Sequence, residues 1–336
     1  MRRIHGLDTI RFIAATIVVF GHFGIPLPLW LGEEAKGMWR VLRGIIGCSS
    51  NGPAAVIVFF VVSGFCIHYP QSSGKPLGVP SYLIRRLIRI GFPAVVAACW
   101  MVSVGVELRP TSYGVFWSVI CEVIYYLLYP IFLWFARKAG WSAMVAISSC
   151  VCVFMWWWNA QVITDSFGSY ISLGHWTWVN GLPCWLLGCW VADKPLQNIR
   201  HFVQKLWALR AGVLAASILL RIAQFHVDSF FASNCITLNL FAFLVAYWLR
   251  YETSDLKVHK SEPFSDRLGQ WSYSVYLVHP IVPPMLAMLF TWSTLHEFGP
   301  WLLIITSSFV LSYVFYRLVE RPAHLLAQRL GRRRGV

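Results

Sequence analysis

Charged side chains are scarce in this sequence, and acidic ones are the scarcest. The 336 residues include 14 Asp and Glu against 28 Lys and Arg, and charged residues of both signs make up 12% of the chain. An ordinary soluble domain carries about 25%. So little charge cannot cover a water-exposed surface of this size, which excludes a soluble globular enzyme.

Metal-binding and disulfide patterns are also lacking. The nine cysteines include no Cys-x-x-Cys pair, and all but Cys48 lie inside apolar stretches. Regularly spaced cysteines in loops are typical of disulfide frameworks and zinc sites. We therefore expect no metal site, and we interpret the cysteines as small residues that pack between helices.

Apolar residues take the place of the missing charge. They make up 57% of the chain, including 18 Trp, 23 Phe and 13 Tyr. A transmembrane helix takes about 20 mainly apolar residues, so the length suffices for roughly ten spans. Apolar runs between polar or Gly- and Pro-rich breaks predict spans at 6–25, 53–69, 91–107, 116–136, 141–158, 175–192, 206–224, 233–249, 271–292 and 299–317. The predicted fold is an all-α, multi-pass integral membrane protein, a single domain over 1–336 with no appended soluble domain.

The basic residues predict an orientation for this bundle. With both termini in the cytoplasm, 22 of the 28 Lys and Arg fall in inner loops or the C-terminal tail and five fall in outer loops. Such an asymmetry indicates which side is cytoplasmic. We therefore expect cytoplasmic N- and C-termini, with 323–336 as a basic cytoplasmic tail. The formal net charge of +14 then indicates topology and membrane lipid contact, not a nucleic-acid partner.

Four ionisable residues fall inside the predicted spans. They are Arg11 and His22 in the first span, Glu122 in the fourth and His279 in the ninth. Such residues are costly in a membrane and by default mark a functional site. Arg11 and His22 are eleven residues apart, so they share one helix face about 16 Å apart along the axis. Counted from the helix ends, Glu122 lies near the depth of His22, so we expect these two side chains to meet.

Each of these residues also has a purely structural interpretation. Arg11 snorkelling beside Asp8, three residues earlier, would be a local ion pair. A histidine or a carboxylate inside the bundle would be a hydrogen-bonded bridge between helices. The sequence leaves these alternatives open.

Two neighbouring patterns carry further polar groups. Ser118, Glu122, Tyr125 and Tyr129 recur at i, i+4, i+7 and i+11, which predicts a helix face that lines a cavity. Aromatic packing is the alternative for the two tyrosines. Ser63, near the end of the second span, is followed by a glycine and is equally typical of close helix packing.

A basic cluster follows the second span. Arg85 and Arg89 share a helix face, with Arg86 beside them, and paired guanidinium groups suit a phosphate-rich ligand. The alternative is that these arginines bind no ligand and only mark the cytoplasmic side of the membrane.

Five motifs, in order along the chain, resemble those of the acyltransferase 3 family, membrane-bound O-acyltransferases that modify bacterial surface polysaccharides and some other acceptors. Two positions depart from the family pattern, with Thr9 in place of a glycine and Tyr125 in place of a phenylalanine. The motifs are Gly6-Leu7-Asp8-Thr9-Ile10-Arg11 with Gly21-His22, Val58-Phe59-Phe60-Val61-Val62-Ser63-Gly64-Phe65, Arg85-Arg86-Leu87-Ile88-Arg89, Trp117-Ser118 with Glu122 and Tyr125-Tyr126, and Ser272-Tyr273 to His279-Pro280 with Glu320-Arg321-Pro322.

The resemblance implies an activity and a location. Members of this family transfer an acyl group, usually acetyl from acetyl-CoA, to a sugar hydroxyl across the bacterial cytoplasmic (inner) membrane. For this chain it implies acetyl-CoA as a co-substrate, no tightly bound cofactor, and a lipid-linked or surface glycan such as O-antigen or capsule as acceptor. A small-molecule or lipid acceptor is the alternative. Whether the protein forms a homo-oligomer is left open.

The residues and the resemblance together predict a mechanism. We expect Arg11, Arg85, Arg86 and Arg89 to bind the acyl-CoA, His22 to act as general base and Glu122 to orient its imidazole. Transfer through an acyl-enzyme on Ser63, Ser118 or His22 stays open. The residues expected to line the cavity or support the site are Asp8, Ser63, Trp117, Ser118, Tyr125, Tyr126, Tyr276 and His279.

The competing class of protein is a proton-coupled transporter, which also uses buried Arg, His and Glu side chains. Many carriers consist of inverted repeats, and the two halves of this chain show no such similarity. The sequence therefore favours the enzyme.

Overall fold

The computed structural model describes residues 4, 6–24, 36–106, 114–194, 203–227, 229–259, 264–289 and 298–333. Every regular element in these ranges is helical, and none is a β-strand. We number the α-helices in chain order: α1 Leu7–Phe23, α2 Met38–Cys48, α3 Gly52–His68, α4 Val79–Arg86, α5 Phe92–Ser103, α6 Phe116–Ala139, α7 Trp141–Trp158, α8 Ala160–Asp165, α9 Thr177–Asp193, α10 Val203–His226, α11 Asn234–His259, α12 Phe264–Gly269, α13 Ser272–Val278, α14 Val282–Ala287, α15 Phe298–Phe315 and α16 Arg321–Arg333.

Six helical stretches of the described chain are long and apolar enough to cross a membrane, and each overlaps a predicted span. They are Met38–His68, Val79–Ser103, Phe116–Ala139, Trp141–Trp158, Lys205–His226 and Phe298–Leu330. The all-helical fold is thereby confirmed, and these apolar helices are consistent with a membrane protein. The total of ten spans and the cytoplasmic termini stay predictions. Helices α1 and α9 have 17 residues each, a rise of about 26 Å, which is less than a hydrocarbon core of about 30 Å.

Helices α3 and α9 form the centre of the bundle, and two glycines let their backbones touch. A Cβ added at Gly64 would overlap the backbone oxygen of Trp185, and one at Gly188 would overlap that of Val61. The Cys189 thiol also donates to the Gly64 carbonyl at 3.4 Å. Small residues are the usual means of close helix approach in a bilayer. The packing interpretation of the Ser-Gly step in α3 is thus confirmed.

The start of α1 is held by the C-terminal third of the chain. Gly6 has φ 93°, a conformation that favours glycine. The Asp266 carboxylate of α12 accepts from the backbone N–H of Gly6 at 2.9 Å and of Thr9 at 3.3 Å, which caps the helix. Gly269 packs directly on the backbone of Asp8. Therefore the first motif is positioned by residues more than 250 positions away.

Two π-helical turns interrupt the α-helices, at Leu87–Gly91 between α4 and α5 and at Tyr316–Glu320 between α15 and α16. Such turns are rare and frequent at functional sites. The Tyr273 hydroxyl donates to the carbonyl of Ile90 inside the first turn, at 2.9 Å. Each turn ends near a charged side chain of the site described below, Arg89 or Glu320.

We predict that Gly64→Ala destabilises the protein by about 1–3 kcal/mol, the usual cost of overpacking a close contact. Gly212→Ala is the matched control, because a Cβ there meets nothing within 4 Å. Alanine is also the better helix former, by up to about 1 kcal/mol. Thermal unfolding in detergent should show a lower midpoint for Gly64→Ala alone. Equal midpoints for the two variants would contradict the close packing.

Candidate functional site

A carboxylate from α6 lies against α3. Glu122 Oε1 accepts a hydrogen bond from Ser63 Oγ at 2.5 Å and another from the Tyr126 hydroxyl, one helical turn along α6. Ser63 is buried, and its hydroxyl accepts from the indole N–H of Trp185 on α9 at 3.3 Å. Three helices therefore converge on this acidic group, which is satisfied by neutral donors.

Arg11 from α1 supplies a positive charge that interacts with this carboxylate. Its Nη1 lies 3.9 Å from Asp8 Oδ1, so the ion pair expected from the i,i+3 spacing is confirmed. Arg11 also interacts electrostatically with Glu122 and with Glu320. One guanidinium therefore interacts with three carboxylates, one on its own helix and two from distant parts of the chain.

Glu320 completes this cluster, and sequence reasoning missed it. Its Oε2 accepts from the backbone N–H of Ser274 at 3.2 Å and from the Ser274 hydroxyl at 2.5 Å. The side chain is buried and interacts electrostatically with Arg89 and Arg11. The predicted last span ended at 317, which placed Glu320 outside the membrane region. The signal available in the sequence was that the motif Glu320-Arg321-Pro322 contains a carboxylate.

Three of the four predicted donor-binding arginines lie together. Arg89 interacts electrostatically with Arg86 and Arg11, and the Arg86 guanidinium lies 5.6 Å from the centre of the Tyr126 ring. Neither Arg86 nor Arg89 forms an ion pair within the described ranges. Their charge is therefore available to an anionic ligand.

The fourth arginine, Arg85, lies apart. It is exposed, and its Nε donates to the carbonyl of Ser81 on its own helix at 3.0 Å. The sequence predicted one helix face for Arg85 and Arg89 from regular α-helical spacing, but the π-turn that begins at Leu87 alters the rotation between them.

His22 lies at the other end of α1, beside a second histidine. Its Nδ1 is 3.2 Å from Nε2 of His279, which follows α13. His279 is completely buried, and its Nδ1 is 3.0 Å from the carbonyl of Val275. His22 itself is exposed. The imidazole of His22 is therefore accessible to solvent, and the imidazole of His279 beside it is not.

The predicted contact between His22 and Glu122 is not formed. Glu122 is bonded to Ser63 and Tyr126, whereas His22 is bonded to His279. It is Ser118 that approaches the histidine end, because its hydroxyl lies 2.6 Å from that of Tyr276. Glu122 follows one turn later, about 6 Å along α6. The prediction placed both residues at one depth by counting along each helix, whereas the structure places Glu122 against Ser63 and Tyr126.

The predicted polar stripe on α6 divides between the site and the core. The hydroxyl of Tyr125 donates to the carbonyl of Trp178 at 2.6 Å, and that of Tyr129 bonds His68 Nδ1 at 2.9 Å. Both tyrosines are completely buried, so they pack between helices and do not line a cavity. Trp117 is half-buried and packs by ring contacts of its own.

Comparison with known proteins finds one family over almost the whole chain. A family model described as the acyltransferase domain (acyltransferase 3) matches residues 4–317, which include both histidines and the arginine cluster. The curated protein "Acyltransferase MdmB" of Streptomyces mycarofaciens is 22% identical, over 99% of this chain and 94% of that protein. No solved structure matches this chain.

The adjacent tyrosines of α6 give a matched test of the buried carboxylate. Tyr126→Phe removes a hydrogen bond to Glu122, which should cost about 1.5–3 kcal/mol of stability. Tyr125→Phe removes one to a neutral carbonyl, which should cost about 0.5–1.5 kcal/mol. Thermal unfolding of the two variants should therefore place Tyr126→Phe below Tyr125→Phe. The reverse order would mean that Glu122 is not held as described.

Proposed function

This chain belongs to the acyltransferase 3 family, and we propose that it transfers an acetyl group from cytoplasmic acetyl-CoA to a hydroxyl of an extracytoplasmic carbohydrate. The observation that supports this most is the pair of polar clusters at opposite ends of α1. Arg86 and Arg89 lie near Arg11, and His279 lies beside His22. Along the helix, Arg11 and His22 are about 16 Å apart. Such a separation suits a long donor that enters at one end and an acceptor that enters at the other.

The arginine end suits the phosphates of the donor. Guanidinium groups bind phosphate oxygens through paired hydrogen bonds, and neither Arg86 nor Arg89 forms a direct ion pair with a carboxylate in the described chain. Glu122 and Glu320 hold Arg11 by charge without neutralising all three cations. The pantetheine arm, a long unbranched chain, would then extend past Arg11 towards His22.

The histidine end suits the transfer step. In this mechanism the unprotonated ring nitrogen of His22 takes the proton of the acceptor hydroxyl. At the same time, the oxygen of that hydroxyl attacks the carbonyl carbon of the thioester. The C–S bond breaks, and the departing CoA thiolate receives that proton from the imidazolium. No charge remains on the protein after one turnover. The exposure of His22 gives an acceptor access to it.

The choice of acceptor and of membrane rests on the family resemblance. We propose a bacterial cytoplasmic membrane location, ten spans with both termini inside, and a lipid-linked or surface glycan as acceptor. The alternative within the family is a small-molecule or lipid acceptor. Mass spectrometry of surface glycans and of extracted lipids, from cells with and without the protein, would show which fraction carries the acetyl mark.

We predict that Arg89→Gln weakens CoA binding about 10- to 100-fold, as expected for one lost charged hydrogen bond. Arg85→Gln is the matched control and should change the Kd less than threefold or so, because Arg85 faces away from the cluster. Isothermal titration of purified protein with CoA measures both. Equal losses in the two variants would refute the division of the arginines.

We further predict that His22→Ala lowers the rate of acetyl transfer about 10²- to 10⁴-fold, the usual contribution of a general base. CoA affinity should be unchanged, because His22 lies about 16 Å along α1 from Arg11. The control is His226→Ala, an exposed histidine at the end of α10. Transfer of labelled acetyl in reconstituted membranes is the measurement. A folded His22→Ala protein with wild-type rate would rule out this base.

A further inference from the structure

We propose that His279 is a positioning residue: it accepts a hydrogen bond from His22 and so fixes the tautomer in which His22 Nε2 is the base. The inference rests on the proposed function for its kinetic consequence. Its structural content, the tautomer of His22, is independent of which reaction the protein performs.

His279 carries its proton on Nδ1. Its Nδ1 lies 3.0 Å from the carbonyl oxygen of Val275. A carbonyl can only accept, so Nδ1 carries hydrogen. Pro280 follows directly and has no N–H, which deprives the carbonyl of Tyr276 of its helical partner. The imidazole of His279 interacts with the carbonyls of both Val275 and Tyr276, so the protonated Nδ1 faces two backbone acceptors.

The other nitrogen of His279, Nε2, carries no proton. This side chain is completely buried, and its hydrogen bonds go to backbone and to another imidazole. A buried cation needs an anionic partner, and the hydrogen bonds of the site carboxylates Glu122 and Glu320 go to serine and tyrosine hydroxyls instead. His279 is therefore neutral, with the proton on Nδ1 and a lone pair on Nε2.

The lone pair on His279 Nε2 in turn determines the tautomer of His22. His22 Nδ1 lies 3.2 Å from the lone pair of His279 Nε2, so it must donate. In a neutral imidazole with hydrogen on Nδ1, Nε2 is unprotonated and basic. Because His22 is exposed and His279 is buried, that free nitrogen belongs to the ring which substrate can reach.

The proton balance of the reaction is preserved. Nε2 of His22 takes the acceptor proton, and the resulting imidazolium keeps its Nδ1–H bond to His279. The same proton then leaves from Nε2 to the CoA thiolate. His279 neither gains nor loses a proton, which is why we describe it as a positioning residue.

The experiment compares three variants, His279→Gln, His279→Asn and His279→Leu. The amide oxygen of Gln reaches the place of Nε2 and can accept from His22, whereas Asn reaches only the place of Nδ1. We expect His279→Gln to keep most of the wild-type kcat. His279→Asn and His279→Leu should lower kcat about 10- to 100-fold, with the KM of acetyl-CoA and of acceptor unchanged.

Equal kcat values for His279→Gln and His279→Asn would overturn the proposal, as would a loss that appears in KM alone. The Gln and Asn variants also provide the test if His279→Leu does not fold, because both retain a polar side chain. Thermal unfolding of each variant shows that kcat is compared between folded proteins.

Nitrogen NMR on protein labelled with ¹⁵N-histidine gives a readout independent of activity. The His22 signal is identified by its disappearance in His22→Ala. We expect the Nδ1–H tautomer in the wild type and in His279→Gln, and a mixture of tautomers in His279→Asn. A wild-type His22 with its hydrogen on Nε2 would overturn the inference. An active His22→Ala protein would instead overturn the proposed function and leave the tautomer result standing.

Discussion

The structure depends on the pairing of a few charges inside an apolar bundle. A bilayer offers no water to an ionised side chain, so each one must find its partners in the protein. Glu122 is satisfied by hydroxyls of α3 and α6, and it attracts Arg11 of α1, which also attracts Glu320. These contacts join helices far apart in the sequence. Moving any one of these side chains would remove an attraction that joins two helices.

The same constraint explains why the motifs at both ends of the chain converge. Glu320 is bonded to Ser274, and Asp266 caps the start of α1. The C-terminal third therefore fixes both the direction of Arg11 and the position of its second carboxylate. A chain that lacked this part could still form an apolar first helix. It could not hold the arginine cluster.

Much of this arrangement could be predicted from local spacing. The helical fold, the shared face of Arg11 and His22 and the ion pair with Asp8 all follow from one helix at a time. The errors arose where two helices had to be compared. Offsets between helix ends placed Glu122 beside Ser63 and not beside His22, and a π-turn separated Arg85 from Arg89. Neither an offset nor a π-turn has a clear signal in a single sequence.

The separation of the carboxylates from His22 has a chemical consequence. A carboxylate in contact with an imidazole stabilises the imidazolium, and this favours a base that keeps its proton. A neutral imidazole partner such as His279 orients the ring without adding that attraction. The anionic groups are used instead at the arginine end, where they position cations for a polyanionic ligand. One apolar bundle can thus hold a cationic binding site and an uncharged base on the same helix, because about three helical turns of apolar packing separate the two.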